Sequence, residues 1–275
     1  LHPKNYQYLS SLGIEIAHKT VNRMQLNYYK QALDLNTSST NRDSLCMIIS
    51  YDELLNSLLS KAYLLNIPWI QESISQTTST HITINHQQYP YDLLLACDGI
   101  NSKVRQQQGI KTKDINFNQY AYTAILSHTQ PIKHAYQKFN DTGTLAILPT
   151  KNAHRSGLIW AIDTETFTRY EQIGLRQELE KSTPFLGKVL QIDHGSKQPL
   201  IGKVANEYSQ HNMLLVGSTL HHVHPLAGIG FNLAISDIQT ITHIVSRNIP
   251  LQYYKTYRQD AHTKAQTLTE AIGKR

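Results

Sequence analysis

A chain of 275 residues with 40% hydrophobic residues can bury a sizeable core, as one large domain or two interleaved ones, and is too apolar to be disordered. The formal charge of +6 and pI near 9.1 suit anionic ligands or an anionic membrane surface, but the Lys and Arg residues are scattered and no aromatic-basic stripe runs among them, so no nucleic-acid partner is expected. Lys111 and Lys113 read as a solvated loop. No apolar run approaches the roughly 18 residues of a membrane span, and no signal peptide opens the chain. The expectation is a cytoplasmic protein whose membrane contact, if any, is peripheral and at the inner face. Cys46 and Cys97 lie in apolar segments and read as small buried hydrophobes in a reducing compartment.

Taken in order, residues 6–14 predict a short helix ending at Gly13, and residues 21–45 a strand pair with a turn in the polar stretch 36–41. Apolar residues 46–49 precede an amphipathic helix over 52–65, with Leu54, Leu55, Leu58, Leu59 and Ala62 assigned to core. Residues 67–70 and 81–84 read as strands, with a turn at 89–90. The unbroken apolar run 93–97 suits a parallel strand covered on both faces, closed by Asp98-Gly99. Asn101 or Ser102 then caps a helix that carries Arg105 one turn in. Beyond residue 110 the pattern turns β-rich, with strands at 120–126, 144–148, 157–162 and 191–192, a terminator at Pro149 and one helix over 166–181. Tyr122, Tyr136 and Trp160 either pack in those strands or face an aromatic substrate. Residues 251–272 form a last, polar helix with Tyr254, Tyr257 and Ala261 on one face.

Two stretches carry chemistry. Residues 213–216 read as a buried strand stopping at Gly217; a histidine-bearing turn from Ser218 to Pro225 follows; then Gly228-Ile229-Gly230 opens a helix whose apolar residues Leu233, Ala234, Ile235 and Ile238 recur at helical spacing. Two glycines at a helix start let backbone approach a flat or anionic ligand, towards which free amides and the positive dipole end point. Asp98-Gly99 sits where open α/β sheets hold ligands, at the carboxyl end of a parallel strand, although Asp-Gly is also a common turn. His221, His222 and His224 share one loop without a cysteine or a carboxylate before Asp237, which argues against a metal site. The chain opens Leu1-His2-Pro3 and contains no G-x-G-x-x-G turn, so a preceding strand and phosphate-binding turn are expected to be missing.

His221-x-x-His224-Pro225-Leu226-Ala227-Gly228-x-Gly230-Phe231-Asn232 closely resembles the second flavin motif of the FAD-dependent aromatic-ring hydroxylases, in particular the ubiquinone-biosynthesis branch. The phrase from Asp92 to Arg105, with Asp98-Gly99 at its centre, resembles that family's Asp-Gly motif, about 120 residues earlier and in the family's order. The resemblance implies an α/β fold in which a Rossmann-like FAD/NAD(P)-binding domain, lacking its first βαβ unit, is interleaved with a β-rich substrate domain. Residues 1–110 and 206–275 would belong to the FAD-binding domain and 111–205 to the substrate-side sheet, with 21–45 as a candidate addition to that sheet. FAD is the implied cofactor and NAD(P)H the implied electron donor. The reaction implied is transfer of one oxygen atom to an electron-rich ring, the substrate being a polyprenylated phenol of ubiquinone biosynthesis. Further partners implied are a biosynthetic complex or a second copy of the chain.

Cofactor-binding residues implied by the two motifs are Asp98, Gly99, Arg105, Gly217, Ser218, Pro225, Gly228, Ile229, Gly230, Phe231 and Asn232. Arg105 would be a charge partner of the phosphates, and Pro225 would shape the face of the flavin ring. Three positions depart from the family pattern. Ser218 stands where relatives carry an Asp that holds the ribityl hydroxyls, Ile229 replaces the Gln of Gly-Gln-Gly, and Tyr51 replaces a basic residue facing the phosphates. With the absent fingerprint they support an alternative, a catalytically impaired relative that binds a lipid intermediate or scaffolds a biosynthetic complex.

Overall fold

A computed structural model describes residues 1–29, 31–40, 42–225 and 228–273. The chain divides into two compact units that do not follow a single cut: Leu1–Asn66 with Asn118–Leu200, and Ile67–Phe117 with the chain from Ile201 onward. The sequence-based bounds at 110/111 and 205/206 differ from this division. Two 17-residue strands, Thr112–His128 and Val189–Ala205, run across the observed borders at 117/118 and 200/201, so residues on either side of a unit border share one strand.

In the first unit, Pro3–Ser11 is helical, with Pro in its first turn, His2 Nδ1 accepting from the Lys4 N–H, and Gly13 at φ +72° closing it. The pair expected within 21–45 forms as Arg23–Tyr28 and Gln31–Asn36, antiparallel with Tyr28 opposite Gln31, so the chain reverses between those two residues and not in 36–41, where Thr37–Thr40 is a short helix. Arg23–Tyr28 lies parallel to Ala135–Asn140. The sheet continues in the order Ala135–Asn140, Gly143–Pro149, Arg155–Asp163, Thr112–His128, Val189–Ala205. Alternation buries Leu158, Trp160 and Ile162 on one face, where they meet Leu145, Ile147, Leu126, Tyr136 and the helix residues Phe167 and Leu179. Trp160 and Tyr136 are thus packing residues, and Tyr122 is partly buried against the same cluster. Three expectations need correction in detail. The helix expected over 166–181 is two, Thr164–Ile173 and Leu175–Ser182, because Gly174 at φ +108° breaks it. The helix Tyr51–Leu64 buries only Leu54; Leu55, Leu58 and Leu59 are exposed, because the helix is held along the flank of Leu54 and of Ser57, whose Oγ donates to Glu15 O at 3.0 Å. Cys46 is half-buried rather than buried.

In the second unit, Met213–Leu215 lies parallel to Leu94–Ala96, with Met213 opposite Leu94 and Leu215 opposite Ala96. Both strands end towards the same side, as parallel neighbours must. Met213, Leu214 and Leu215 are buried and meet Val104, Ile241, Ile244 and Tyr254, which brings the helices Ile229–Ser246 and Tyr253–Gly273 onto this sheet. Leu95 and Cys97 are exposed, so the run 93–97 is not covered on both faces. A separate antiparallel meander, Ile74–Thr77, His81–Ile84 and Gln87–Pro90, turns at Asn85-His86, both at positive φ as a tight hairpin demands, rather than at 89–90. Residues 67–70 do not form a strand: Pro68 removes a donor, and Ile67, Trp69 and Ile70 are exposed. Among the described residues no helix is long and apolar enough to cross a membrane.

The two faces of the helix Tyr51–Leu64 separate in stability. Leu54→Ala is expected to lower the unfolding free energy by about 2–4 kcal/mol, and Leu58→Gln to change it by no more than about 0.5 kcal/mol, in denaturant titrations of the whole chain.

Candidate cofactor site

The parallel strands Leu94–Ala96 and Met213–Leu215 deliver two turns to one place in the second unit. After the first strand, Asp98 is exposed and Gly99 takes φ +84°, with open space where a Cβ would stand. Ser102, fully buried, caps the helix Lys103–Gln107 by accepting from the Arg105 N–H at 2.9 Å, and Asp98 Oδ2 accepts from the Val104 N–H at 3.2 Å. After the second strand the chain makes a single 3-10 turn, Gly217–Thr219, with Gly217 at φ +58° and Ser218 exposed.

The turns are joined through Thr219. Its Oγ1 accepts from the Gly99 N–H at 2.9 Å and donates to Asp98 Oδ1 at 3.4 Å, while its carbonyl accepts from Arg105 Nη1 at 2.6 Å. Arg105 Nη2 donates to Ile100 O at 2.7 Å, so this guanidinium, 2% exposed, is committed to backbone carbonyls that hold the two turns together. Burial lowers its pKa, with Asp98 acting in the opposite sense.

Beneath the second turn lies Asp237, fully buried on the helix Ile229–Ser246. One carboxylate oxygen, Oδ2, receives His221 Nε2 at 2.8 Å and the Gly217 N–H at 3.3 Å; the other, Oδ1, receives Arg258 Nε and His262 Nε2, both at 2.8 Å. Burial would raise the Asp237 pKa, but the hydrogen bonds from His221 and His262 outweigh it and hold the group below the ordinary carboxylate range. Because an ionised carboxylate only accepts, both imidazoles donate through Nε2. His262 Nδ1 is then the acceptor for the Tyr208 hydroxyl at 2.9 Å, and burial pushes that phenol up to about 12. His221, His262 and Asp237 place their ligand atoms within 4.8 Å of one another, a spacing a metal could use. Arg258 already sets a fixed positive charge on the same carboxylate, which makes the group an ion-pair network.

The three loop histidines go three ways. His221 binds Asp237; His222, half-buried, lies opposite Lys203 in a short strand pair; His224, 2% exposed, stands edge-on to Phe117 at 5.0 Å between ring centroids. Burial pushes the His224 pKa down to about 4. Beyond Pro225, Gly228 at φ +63° is the N-cap of Ile229–Ser246 and contributes no side-chain cap; a Cβ there would meet nothing within 4 Å. Gly230 and Ile229 follow at intermediate exposure, Phe231 is exposed, and the Asn232 amide donates to Gly228 O at 2.8 Å. Leu226 and Ala227, quoted for the motif above, lie outside the described residues.

These features fit an elongated anionic cofactor. Two glycines leave open space beside backbone, and the helix start at Gly228 has no side-chain cap from its N-cap residue among the described residues. Residues 72–271 match the family described as FAD binding domain. The chain belongs to that family. Among curated relatives, the mitochondrial ubiquinone biosynthesis monooxygenase of Danio rerio is 29% identical over 221 residues, covering 66% of this chain and 44% of that protein. The 3-demethoxyubiquinol 3-hydroxylase of Escherichia coli is 32% identical over 161 residues, covering 56% of this chain and 40% of that one. The chain therefore spans less than half the length of these relatives. Among solved structures, Pseudomonas aeruginosa PqsL in complex with 2-aminobenzoylacetate superposes with a TM-score of 0.80 at 15% identity, covering 99% of this chain and 84% of that one. At that identity the likeness is one of fold, and the α/β architecture is that of the FAD-binding aromatic hydroxylases.

Within this FAD binding domain, sequence reading named the glycines and Asp98 but passed over Thr219, Asp237, Arg258 and His262. A signal was present: Asp237 interrupts the apolar stripe of its helix, and Tyr254, Arg258 and His262 recur every fourth residue, the inward face of Tyr253–Gly273. The face expected from Tyr254, Tyr257 and Ala261 is corrected accordingly, since Tyr257 is 52% exposed whereas Tyr254, Arg258 and His262 are buried. Tyr51 is 75% exposed, at the first position of its helix.

Removing the central carboxylate leaves Arg258 uncompensated, so Asp237→Ala is expected to cost about 3–5 kcal/mol in unfolding free energy. His224 makes stability pH-dependent with a definite sign. Its pKa falls from 6.5 to about 4 on folding, so the unfolded chain takes up the proton first, and stability present above pH 6.5 is lost as pH falls towards 4. His224→Phe is expected to flatten that part of the profile, measured by denaturant unfolding at stepped pH.

Proposed function

We propose that this chain holds FAD at the Asp98-Gly99 and Gly217–Asn232 turns and serves a flavin monooxygenase that hydroxylates an aromatic ring, a polyprenylated phenol of ubiquinone biosynthesis. The observation that carries the reading is the junction at Thr219, which ties the Asp-Gly turn to the turn leading into the uncapped helix start at Gly228. FAD, when bound, supplies the oxygen-transfer chemistry, with NAD(P)H as the electron source. The chain's own part is to bind, orient and exclude water. The helix-start amides of Ile229, Gly230 and Phe231 stabilise negative charge, and Pro225, offering a carbonyl but no N–H, shapes the neighbouring surface. Asp98 and Ser218, both exposed, are the side chains placed to accept hydrogen bonds from ribose or ribityl hydroxyls. Arg105 acts from behind, as the tie between the turns. The names of the relatives support the substrate class, and a second copy or other proteins of the same pathway are the partners this reading adds.

Flavin retention tests it. Purified chain mixed with FAD and passed through gel filtration is expected to keep a visible flavin band. Gly228→Leu, which fills the open space with little steric conflict inside the fold, is expected to weaken FAD binding at least about tenfold for a small loss of stability from the positive φ. Colourless wild-type protein that FAD cannot reconstitute would remove the proposal. Consumption of NAD(P)H on addition of a prenylated phenol checks the reaction itself.

A further inference from the structure

The two oxygens of Asp237 divide their partners by origin. Oδ2 takes donors from the turn, Gly217 N–H and His221 Nε2; Oδ1 takes donors from the C-terminal helix Tyr253–Gly273, Arg258 Nε and His262 Nε2. We propose that Arg258 and His262 are positioning residues for the cofactor turn, setting through Asp237 where Gly217–Thr219 sits and hence how tightly the chain holds FAD.

Three further observations support this division of labour. The turn sits close on its supporting helix: Gly217 is at φ +58°, and a Cβ there would come within 3.1 Å of Ala234 Cβ, so a side chain at this position would press the turn away from the helix that carries Asp237. The C-terminal helix is itself registered against the same strand end, since the buried Tyr254 hydroxyl donates to Leu215 O at 3.2 Å and Arg258 Nη2 to Leu233 O at 3.3 Å. His262 in turn is oriented by Tyr208, whose ring stacks on it at 5.3 Å and whose hydroxyl occupies Nδ1. The connection then runs forward through Thr219 to Gly99, Asp98 and Arg105, so a displacement of Asp237 is felt in both turns. None of Tyr208, Arg258 or His262 needs to touch the cofactor for this to hold.

The inference rests on the reading of the turn as an FAD cradle, and the experiment separates the two. FAD affinity of the whole chain is measured by quenching of flavin fluorescence for wild type, His262→Leu, His262→Gln, Arg258→Met and Ile244→Val. The last is a control in the same core, fully buried and outside the network. Loss of a hydrogen bond to a charged group predicts that His262→Leu and Arg258→Met weaken FAD binding by about tenfold or more, while His262→Gln, whose amide nitrogen can replace Nε2–H, stays within about threefold of wild type. Ile244→Val is expected to lower the melting temperature without changing the affinity. In parallel, amide exchange of the cofactor-free chain is expected to quicken over residues 217–222 in His262→Leu and not in Ile244→Val. The inference is overturned if His262→Leu binds FAD as wild type does, if 217–222 exchanges unchanged, or if Ile244→Val weakens binding as much as His262→Leu. A wild-type chain that takes up no FAD overturns the cradle reading and the inference with it, whereas unaltered affinity in the variants sinks the inference alone.

Discussion

A single ionised carboxylate, Asp237, with no exposed surface, is the interaction on which the second unit depends. Taking such a charge out of water costs several kcal/mol, and the cost is offset only where donors surround it. Here four do, one of them a permanently charged guanidinium. The result is a constraint more than a source of stability. A well-packed apolar substitute would hold the helices as firmly, but it would not specify where a backbone N–H such as that of Gly217 must lie. Three stretches distant in sequence, the turn after Leu215, the helix Ile229–Ser246 and the helix Tyr253–Gly273, are brought into register by one side chain.

That constraint explains why so little of the candidate cofactor surface consists of charged side chains. The positive guanidinium nearest the Asp98-Gly99 turn, Arg105, is spent on the carbonyls of Thr219 and Ile100. What remains open is backbone at glycine: Gly99 and Gly228, both at positive φ and both with empty space on the side a Cβ would take. In the proposed reading, electrostatic stabilisation comes from oriented amides and a helix start, which need no reorganisation when a ligand arrives and which tolerate the loss of individual side-chain contacts. Ser218, exposed, and Ile229, half-exposed, are two of the three departures from the family pattern, and in the proposed reading a side chain at either place would add to affinity without being needed to shape the surface.

The first unit is organised by a different principle. Its sheet is specified by period-2 alternation, and Leu158, Trp160 and Ile162 with their neighbours on Gly143–Pro149 form a core against Phe167 and Leu179. Its aromatic residues are engaged there: Tyr120 and Tyr122 pack on Phe167, and Lys197 stands over the rings of Tyr120 and Phe167. The helix Tyr51–Leu64 breaks the rule that apolar periodicity means burial. Its period is helical, but only Leu54 turns inward.

Sequence by itself determined what depends on neighbours along the chain. The glycine stops at Gly13 and Gly217, the Ser102 cap, the buried strand at 213–215, the alternating strands of the first unit and the glycine-opened helix at Gly228 were all legible, because backbone dihedral limits and hydrophobic period act over a few residues. The two motifs, about 120 residues apart, were legible as a pair for the same reason. Tertiary structure decided what depends on partners far apart in the chain. Whether Arg105 faces a ligand or a carbonyl, which of three loop histidines meets a carboxylate, and that Asp237 is that carboxylate are matters of which side chains a fold brings within 3 Å, and separations of 16 to 25 residues leave no periodic trace. Gly174 shows the same limit in miniature: its composition allowed one helix, and only the packed chain put it at φ +108° and made two.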